Sequence, residues 1–229
     1  MTSRRDSLAL GAAAVAAATY LALLPGGPPW LLALVKPLPV LALAAWCRPG
    51  AAGWSGRLVP AGLVVSAAGD VLLAVDSFLP GVAVFLAAHL LYTAAFLRRT
   101  RRPRLLRLVP FVLWGAAVYA LLVPVLGALV VPVAVYAVAL SVMMWRAAAT
   151  VGSAGAPRHE EWWALAGAVL FGASDTLLAL HRFLTPWPDG PYLVMVLYWA
   201  GQAGIARSAR ATAGMSAGFR HHHPGPPAA

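Results

Sequence analysis

The chain alternates long apolar segments with short connections that carry arginine, glycine or proline. A membrane-spanning helix needs about 20 predominantly apolar residues, and eight segments approach that length. They cover residues 8–24, 30–47, 57–75, 79–97, 105–122, 124–145, 162–181 and 191–207. The division between the fifth and the sixth segment rests on Pro124 alone. We therefore predict an all-α membrane protein with eight transmembrane helices.

The composition supports this class. The 229 residues are 61% hydrophobic and 10% charged, and the mean hydropathy is +0.78. A soluble domain of this length could not bury so much apolar surface. We expect residues 1–208 to form a single transmembrane helical domain. Residues 209–229, where Gly, Pro and His are frequent, are predicted to form a disordered cytoplasmic tail.

The formal net charge of +10 does not indicate a nucleic-acid partner, because of where the charges lie. Arginines precede the first span, crowd the connections after spans two, four and six, and recur in the tail, whereas the alternate connections hold only Arg182. Cytoplasmic loops carry such an excess. We therefore expect a cell-membrane protein with both termini cytoplasmic. The cluster from Arg98 to Arg107 is expected to be a solvated face that also contacts anionic membrane lipids.

The first 24 residues also resemble a signal peptide. Cleavage would leave seven spans and an extracytoplasmic N-terminus. The apolar stretch runs directly into the tight turn formed by GGPPW, so we interpret it as a retained first span.

Two aspartates lie inside apolar spans in matching contexts. Residues 61–79 and 166–184 are identical at ten of 19 aligned positions, which pair Asp70 with Asp175 and Phe78 with Phe183. Two unrelated helices of similar composition would give part of this match, but Asp and Phe are scarce here. We predict a parallel four-plus-four repeat, with halves of about 8–100 and 105–208, related by a pseudo-two-fold axis along the membrane normal.

Asp70 and Asp175 are the leading candidates for a functional site, because ionisable groups at membrane depth are costly. Lys36, the single lysine beside sixteen arginines, is predicted at a similar depth. At 1.5 Å per residue, all three lie about 9 Å below the extracytoplasmic boundary. Lys36 could simply extend to the interface, but its uniqueness indicates a role for its compact charge.

Further polar residues share faces with this site. His89 and Tyr92 lie one turn apart in span four, Tyr198 and Gln202 one turn apart in span eight, and Ser174 precedes Asp175. Such residues commonly serve helix packing, and we count them as supporting candidates.

The order of these residues resembles the YhhN-like lysoplasmalogenase family of multi-span membrane proteins. The likeness extends over about residues 8–208, and the ordered set is more specific than any one motif. The matching features are Lys36-Pro37, Gly69-Asp70, His89-Leu90-Leu91-Tyr92, Tyr136, Gly172-Ala173-Ser174-Asp175, and Tyr198 with Gln202. The resemblance implies an ether hydrolase that acts on a lysophospholipid. Its substrate would be an alkenyl-glycerophosphoethanolamine or -choline, cleaved at the vinyl ether bond to a fatty aldehyde and a glycerophospho-alcohol.

Two aspartates can support that reaction. Protonation of the β-carbon of a vinyl ether gives an oxocarbenium ion, which water captures at the α-carbon. One carboxylic acid and one carboxylate are required, as in inverting glycosidases. Burial and a neighbouring carboxyl favour the neutral form of one acid. We expect Asp70 and Asp175 to be catalytic, with Lys36 binding the phosphate or keeping one aspartate ionised, and neither cofactor nor metal is required.

A small-solute or proton-coupled transporter is the alternative, since parallel repeats and Pro-bearing helices also occur in carriers. A carrier has its site near the midplane with access from both sides. Lys36, Asp70 and Asp175 are instead predicted toward one side, which fits lateral entry of a lipid. The sequence leaves open the head group, the chain length, the identity of the acid and the oligomeric state.

Overall fold

The structure, a computed structural model, describes residues 4–47, 56–153 and 158–220, and these residues are helical with no strand among them. The predicted all-α class is confirmed. In chain order the helices are α1 (Arg4–Leu23), α2 (Pro29–Val35), α3 (Leu38–Cys47), α4 (Leu58–Ala74), α5 (Phe78–Arg99), α6 (Val109–Leu126), α7 (Val130–Thr150), α8 (Arg158–Phe183) and α9 (Gly190–Arg220).

Each of the eight apolar segments is largely helical. Five helical stretches of the described residues are long and apolar enough to cross a membrane, and α4 is a shorter apolar helix. The five stretches are Arg4–Leu23, Pro29–Cys47, Phe78–Arg99, Leu105–Thr150 and Glu161–Phe183. The fold is therefore a helical bundle of the kind found in membranes.

The boundary predicted at Pro124 is wrong. Helix α6 continues through Pro124 to Leu126, and a short 3₁₀ turn, Gly127–Leu129, separates it from α7. Gly127 has a φ of 52°, a conformation that glycine adopts at little cost and that proline, fixed near −65°, cannot adopt. The glycine, rather than the proline, reverses the chain here.

A proline does interrupt the second span. Helices α2 and α3 are separated by a turn at Lys36 and Pro37. The proline has no amide hydrogen and its ring crowds the preceding turn, so a kink forms. The Lys36 amide still donates to the Leu32 carbonyl at 2.9 Å. The kink places Lys36 between two half-length helices.

Helices α8 and α9 approach each other closely because glycines face each other across their contact. A Cβ atom on Gly204 would lie 2.8 Å from the Gly167 Cα atom, and a Cβ atom on Gly201 would lie 2.7 Å from the Phe171 amide nitrogen. Small residues permit this backbone contact between membrane helices. The contact fixes the register of α8 against α9.

Arginines join the C-terminal ends of α5 and α7. Arg107 donates to the Val151 carbonyl at 2.7 Å, and Arg104 donates to the same carbonyl. Arg146 is buried and donates to the Thr100 carbonyl. Helix C-termini present unpaired carbonyls with partial negative charge, which these guanidinium groups neutralise. A wholly solvated face would not hold the two ends together in this way.

Helix α6 is the least buried of the four helices that follow the connection at 100–108 in the chain. Only Phe111, Leu122 and Leu126 are buried in it. It packs mainly on α7 and touches α8 near Trp114, whose Nε1 donates to the Thr176 hydroxyl at 3.2 Å. Its remaining apolar side chains are suited to lipid contact.

Helix α9 extends beyond the predicted end of span eight. The sequence predicts a tail over 209–229, whereas α9 continues to Arg220. Residues 221–229 lie outside the described part of the chain. A disordered end there stays a prediction.

The glycine contact generates a stability prediction. Gly204→Ala adds a methyl group where a backbone atom already lies 2.8 Å away, and overpacking of this kind costs about 1–3 kcal/mol. We expect a lower midpoint of thermal unfolding for the purified protein in detergent.

Gly11→Ala in α1 is the matched control, because no atom lies within 4 Å of a Cβ at that position. Alanine favours a helix over glycine by about 1 kcal/mol, so this control should be unchanged or more stable. Equal midpoints for the two variants would show that the close contact is dispensable.

Candidate functional site

Both aspartates line one cavity of about 220 Å³, whose wall is mostly apolar. The side chains come from α1, from the kink at Lys36, and from helices α4 to α9. Six of the residues predicted from the sequence line this cavity: Lys36, Asp70, Tyr136, Ser174, Asp175 and Tyr198. The structure therefore brings together residues that are up to 162 positions apart in the chain, counted from Lys36 to Tyr198.

Asp70 lies on α4 between a cation and a phenol. Its Oδ1 atom is 3.8 Å from the Lys36 Nζ atom, and its Oδ2 atom accepts a hydrogen bond of 2.8 Å from the Tyr198 hydroxyl. The carboxyl is buried at 1% exposure. A buried carboxylate is costly unless it is paired and hydrogen-bonded, and Asp70 has both kinds of partner.

Asp175 lies on α8 in a different setting. Its Oδ2 atom accepts a hydrogen bond of 2.7 Å from the Tyr136 hydroxyl and is 3.6 Å from the His89 Nε2 atom. Among the described residues, no lysine or arginine nitrogen forms an ion pair with it. The two aspartates therefore share one cavity but differ in the charge beside them.

Each aspartate has a contact from the other half of the sequence. Asp70, in the first half, binds Tyr198 of α9, and Asp175, in the second half, lies beside His89 of α5. Helix α5 also packs on α7, where Tyr136 lies in an edge-to-face contact with the His89 ring at 5.0 Å. These contacts cross between the halves and hold the two carboxyls against one cavity.

Three predicted residues lie behind the cavity wall. His89, Tyr92 and Gln202 are fully buried and do not line the cavity. The Tyr92 hydroxyl donates to the Gln202 Oε1 atom at 2.8 Å and lies 3.3 Å from the Ser66 hydroxyl. This network joins α4, α5 and α9 and can orient Tyr198, which lies one turn from Gln202.

Ser174 has a structural contact. Its hydroxyl donates to the Val194 carbonyl at 2.9 Å, which joins α8 to α9 next to Asp175. It is a buried cavity-wall residue whose hydrogen is already used. Of the supporting candidates, it is the one whose polar group is directed at the backbone.

Phe171 is a central residue that the sequence did not reveal. Its ring is fully buried and makes edge-to-face contacts with His89, Tyr198 and Tyr92, at centroid distances of 4.9, 5.3 and 6.4 Å. It thus packs against one neighbour of each aspartate, His89 beside Asp175 and Tyr198 beside Asp70. No signal marked it, because it is an apolar residue in an apolar helix and falls opposite Ser66 in the repeat alignment.

Comparison with known proteins gives a family and several named relatives. A sequence model of the YhhN family matches residues 31–209. The chain is 42% identical over 185 residues to the lysoplasmalogenase TMEM86B of Sus scrofa, which covers 79% of this chain and 76% of that protein. It is 36% identical over 194 residues to the lysoplasmalogenase TMEM86A of Homo sapiens, covering 80% and 79% respectively.

A bacterial relative is also similar. The lysoplasmalogenase of Mycobacterium tuberculosis is 35% identical over 154 residues, which cover 62% of this chain and 55% of that protein. No solved structure matches the chain.

Proposed function

Since the chain belongs to the YhhN family, we propose that it is an integral-membrane lysoplasmalogenase that hydrolyses the vinyl ether bond of lysoplasmalogens. The names of the relatives support the reaction. The observation that carries the proposal is the pair of aspartates on one mostly apolar cavity. Such a cavity suits a substrate with a hydrocarbon chain at one end and a reactive ether beside it.

The reaction needs one proton donor and one carboxylate. The acid protonates the β-carbon of the vinyl ether, and the positive charge develops on the α-carbon and the ether oxygen. A carboxylate stabilises this oxocarbenium ion and takes a proton from the water that adds to the α-carbon. When the hemiacetal collapses, its hydroxyl proton returns to the first carboxyl, which becomes the acid again. The second carboxyl gives the proton that it took from water to the leaving glycerol oxygen. Aldehyde and glycerophospho-alcohol leave, and both carboxyls regain their starting forms.

The surroundings of the two aspartates support a division of these tasks. Asp70 has Lys36 at 3.8 Å, which stabilises its ionised form, and so it acts as the carboxylate and base. Asp175 lacks a cationic side chain among the described residues, so the interior favours its neutral form. We assign Asp175 as the acid, with His89 and Tyr136 positioning its carboxyl.

The sequence predicts two alternative roles for Lys36, which are to bind the phosphate or to keep one aspartate ionised. The assignment of Asp70 as the base favours the second role. A lysine bound to the phosphate would be free of the carboxylate, whereas the Nζ atom of Lys36 lies beside Asp70 at 12% side-chain exposure. Opposite charges at this separation stabilise each other strongly away from water. Lys36 therefore serves to keep Asp70 ionised.

We further propose eight spans arranged as a four-plus-four repeat in the cell membrane, with both termini cytoplasmic. The helices support it, because one lies at each predicted span except the second, which holds the two short helices α2 and α3. Phe78 and Phe183, aligned by the repeat, are in edge-to-face contact at 5.6 Å. Equivalent residues of two halves meet in this way when both lie beside a two-fold axis.

The topology can be tested by cysteine labelling in a Cys47→Ser background. Gly26→Cys lies in the turn after α1, and Arg101→Cys lies in the exposed connection after α5. A thiol reagent that cannot cross membranes should label the first variant in intact cells and the second only after lysis. Labelling of both in intact cells would contradict the proposed orientation.

Asp70→Asn and Asp175→Asn test the chemistry. Asparagine is nearly isosteric but cannot transfer the proton, and general acid–base catalysis contributes about 10²–10⁴-fold. We expect each variant to lower aldehyde release from lysoplasmalogen by at least about 10²-fold. The double variant should be little worse than the worse single one, and the wild-type pH profile should be bell-shaped.

Two further variants make this result interpretable. Asp70→Asn leaves the Lys36 charge without its carboxylate, so Asp70→Asn combined with Lys36→Met restores the charge balance and should fold but stay inactive. Asp189→Asn, on an exposed aspartate that does not line the cavity, should keep full activity. Full activity in either single asparagine variant at the cavity would exclude the paired mechanism.

Lys36→Met tests the task of the lysine. Without the cation, the ionised form of Asp70 is less stable, so turnover should fall and the acidic limb of the pH profile should move to higher pH. Lys36→Arg keeps a positive charge and should retain more activity with a smaller displacement. A raised KM with an unchanged pH profile would instead assign Lys36 to the phosphate.

A further inference from the structure

An exposed ion pair lies at the rim of the cavity, at the end where α8 stops and α5 starts. The Arg182 Nη2 atom is 3.5 Å from the Asp76 Oδ1 atom, with side-chain exposures of 42% and 88%. The Arg182 guanidinium also lies over the Phe78 ring at 4.2 Å. Phe78 and Phe183 line the cavity. The guanidinium therefore lies directly above cavity-wall residues while remaining open to solvent.

We propose that Arg182 and Asp76 form a binding site for a zwitterionic phospho-alkylammonium head group, in which Arg182 binds the phosphate and Asp76 the ammonium. The inference rests on the proposed function for its substrate class. It adds a second binding region at the rim, separate from the two reactive carboxyls.

The first argument is that Arg182 is the positively charged side chain at this end of the bundle that can bind a phosphate. A bound phosphate needs a positive partner, and Lys36 is already beside Asp70. In the described turns at this end of the bundle (residues 24–28, 75–77, 127–129 and 184–189) and the last turn of α8, Arg182 is the sole arginine or lysine. Guanidinium groups bind phosphate through paired hydrogen bonds. Arg182 is thus the available phosphate ligand.

The distances agree with the size of the substrate. Arg182 is seven residues beyond Asp175 on α8, a rise of about 10 Å. In a lysoplasmalogen the phosphorus is six bonds from the α-carbon of the vinyl ether, about 7 Å when extended. An arginine side chain can cover the remaining gap. A substrate with its ether at Asp175 therefore places its phosphate within reach of Arg182.

The existing pair is suited to exchange partners. Exposed ion pairs contribute little to stability, so separating Arg182 from Asp76 costs little. A zwitterion offers each side chain a replacement of the correct sign. Asp76 has a φ of 55°, a left-handed conformation that is uncommon for residues other than glycine, and it places the carboxylate on the turn beside Phe78. The two charges on the rim match the two charges of the head group.

The experiment uses saturated alkyl-ether lysolipids, which lack the vinyl group and so cannot be cleaved. Three are compared, with glycerophosphoethanolamine, glycerophosphate or plain glycerol as the polar part. Dissociation constants are measured by calorimetry on the full-length protein in nanodiscs. Arg182→Gln should weaken binding of both phosphate-bearing lipids about 10-fold and leave the alkylglycerol unchanged.

Asp76→Asn should weaken the phosphoethanolamine lipid alone. It should leave the phosphate lipid equal or tighter, because a repelling carboxylate is removed. The control is Arg101→Gln, on an exposed residue that follows the far end of α5 and does not line the cavity, and it should alter none of the three constants.

Wild-type constants in Arg182→Gln for all three lipids would overturn the site. An equal loss for alkylglycerol would also overturn it, because that pattern indicates general damage to the rim. The failure of the proposed function looks different. In that case wild-type protein releases no aldehyde from lysoplasmalogen, whereas the head-group pattern of the uncleavable lipids is still measurable.

Discussion

A carboxylate buried among apolar helices needs a cation beside it, and in this bundle Lys36 supplies that cation to Asp70. The lysine lies at the turn between α2 and α3, next to Pro37. Helix α9 contributes the Tyr198 hydroxyl, which binds the other carboxylate oxygen. Three separate segments therefore converge on one charge. Removal of any one partner would leave another buried polar group without compensation.

The two aspartates illustrate how similar sequences acquire different chemistry. Their helices align at ten of 19 positions and each carboxyl accepts a tyrosine hydroxyl, yet one has an ammonium group beside it and the other an imidazole. The difference comes from the surrounding helices rather than from the matching segments themselves. In the proposed mechanism these different neighbours give the two aspartates opposite protonation states, which is what acid and base roles need.

Much of the site could be predicted because ionisable groups are rare in apolar spans. Asp70, Asp175 and Lys36 stand out against their neighbours, and all three line the cavity. Which of the two aspartates pairs with Lys36 could not be predicted from the sequence, since it depends on which faces of distant helices meet.

Residues with no polar contrast were not predictable at all. Phe171 packs against His89 and Tyr198, which contact the two aspartates, but a phenylalanine in an apolar helix carries no distinguishing signal. The sequence predicts a helix end at Pro124, whereas α6 continues through that proline to Leu126, because the chain reversal depends on the positive φ of Gly127. Hydropathy was enough to predict the helical class, whereas the contacts between helices depend on side-chain packing that the sequence pattern does not reveal.

The glycine contact between α8 and α9 makes their side of the cavity wall stiffer than the side formed by the sparsely buried α6. The backbones of α8 and α9 touch at Gly167 and Gly204, which limits sliding of one helix on the other. Asp175 on α8 and Tyr198 on α9 therefore keep a fixed spacing. Helix α6 contacts α8 at Trp114, whose indole donates a hydrogen bond to Thr176. A displacement of α6, which contributes Trp114 and Val118 to the cavity wall, therefore widens the cavity and leaves the spacing of Asp175 and Tyr198 unchanged.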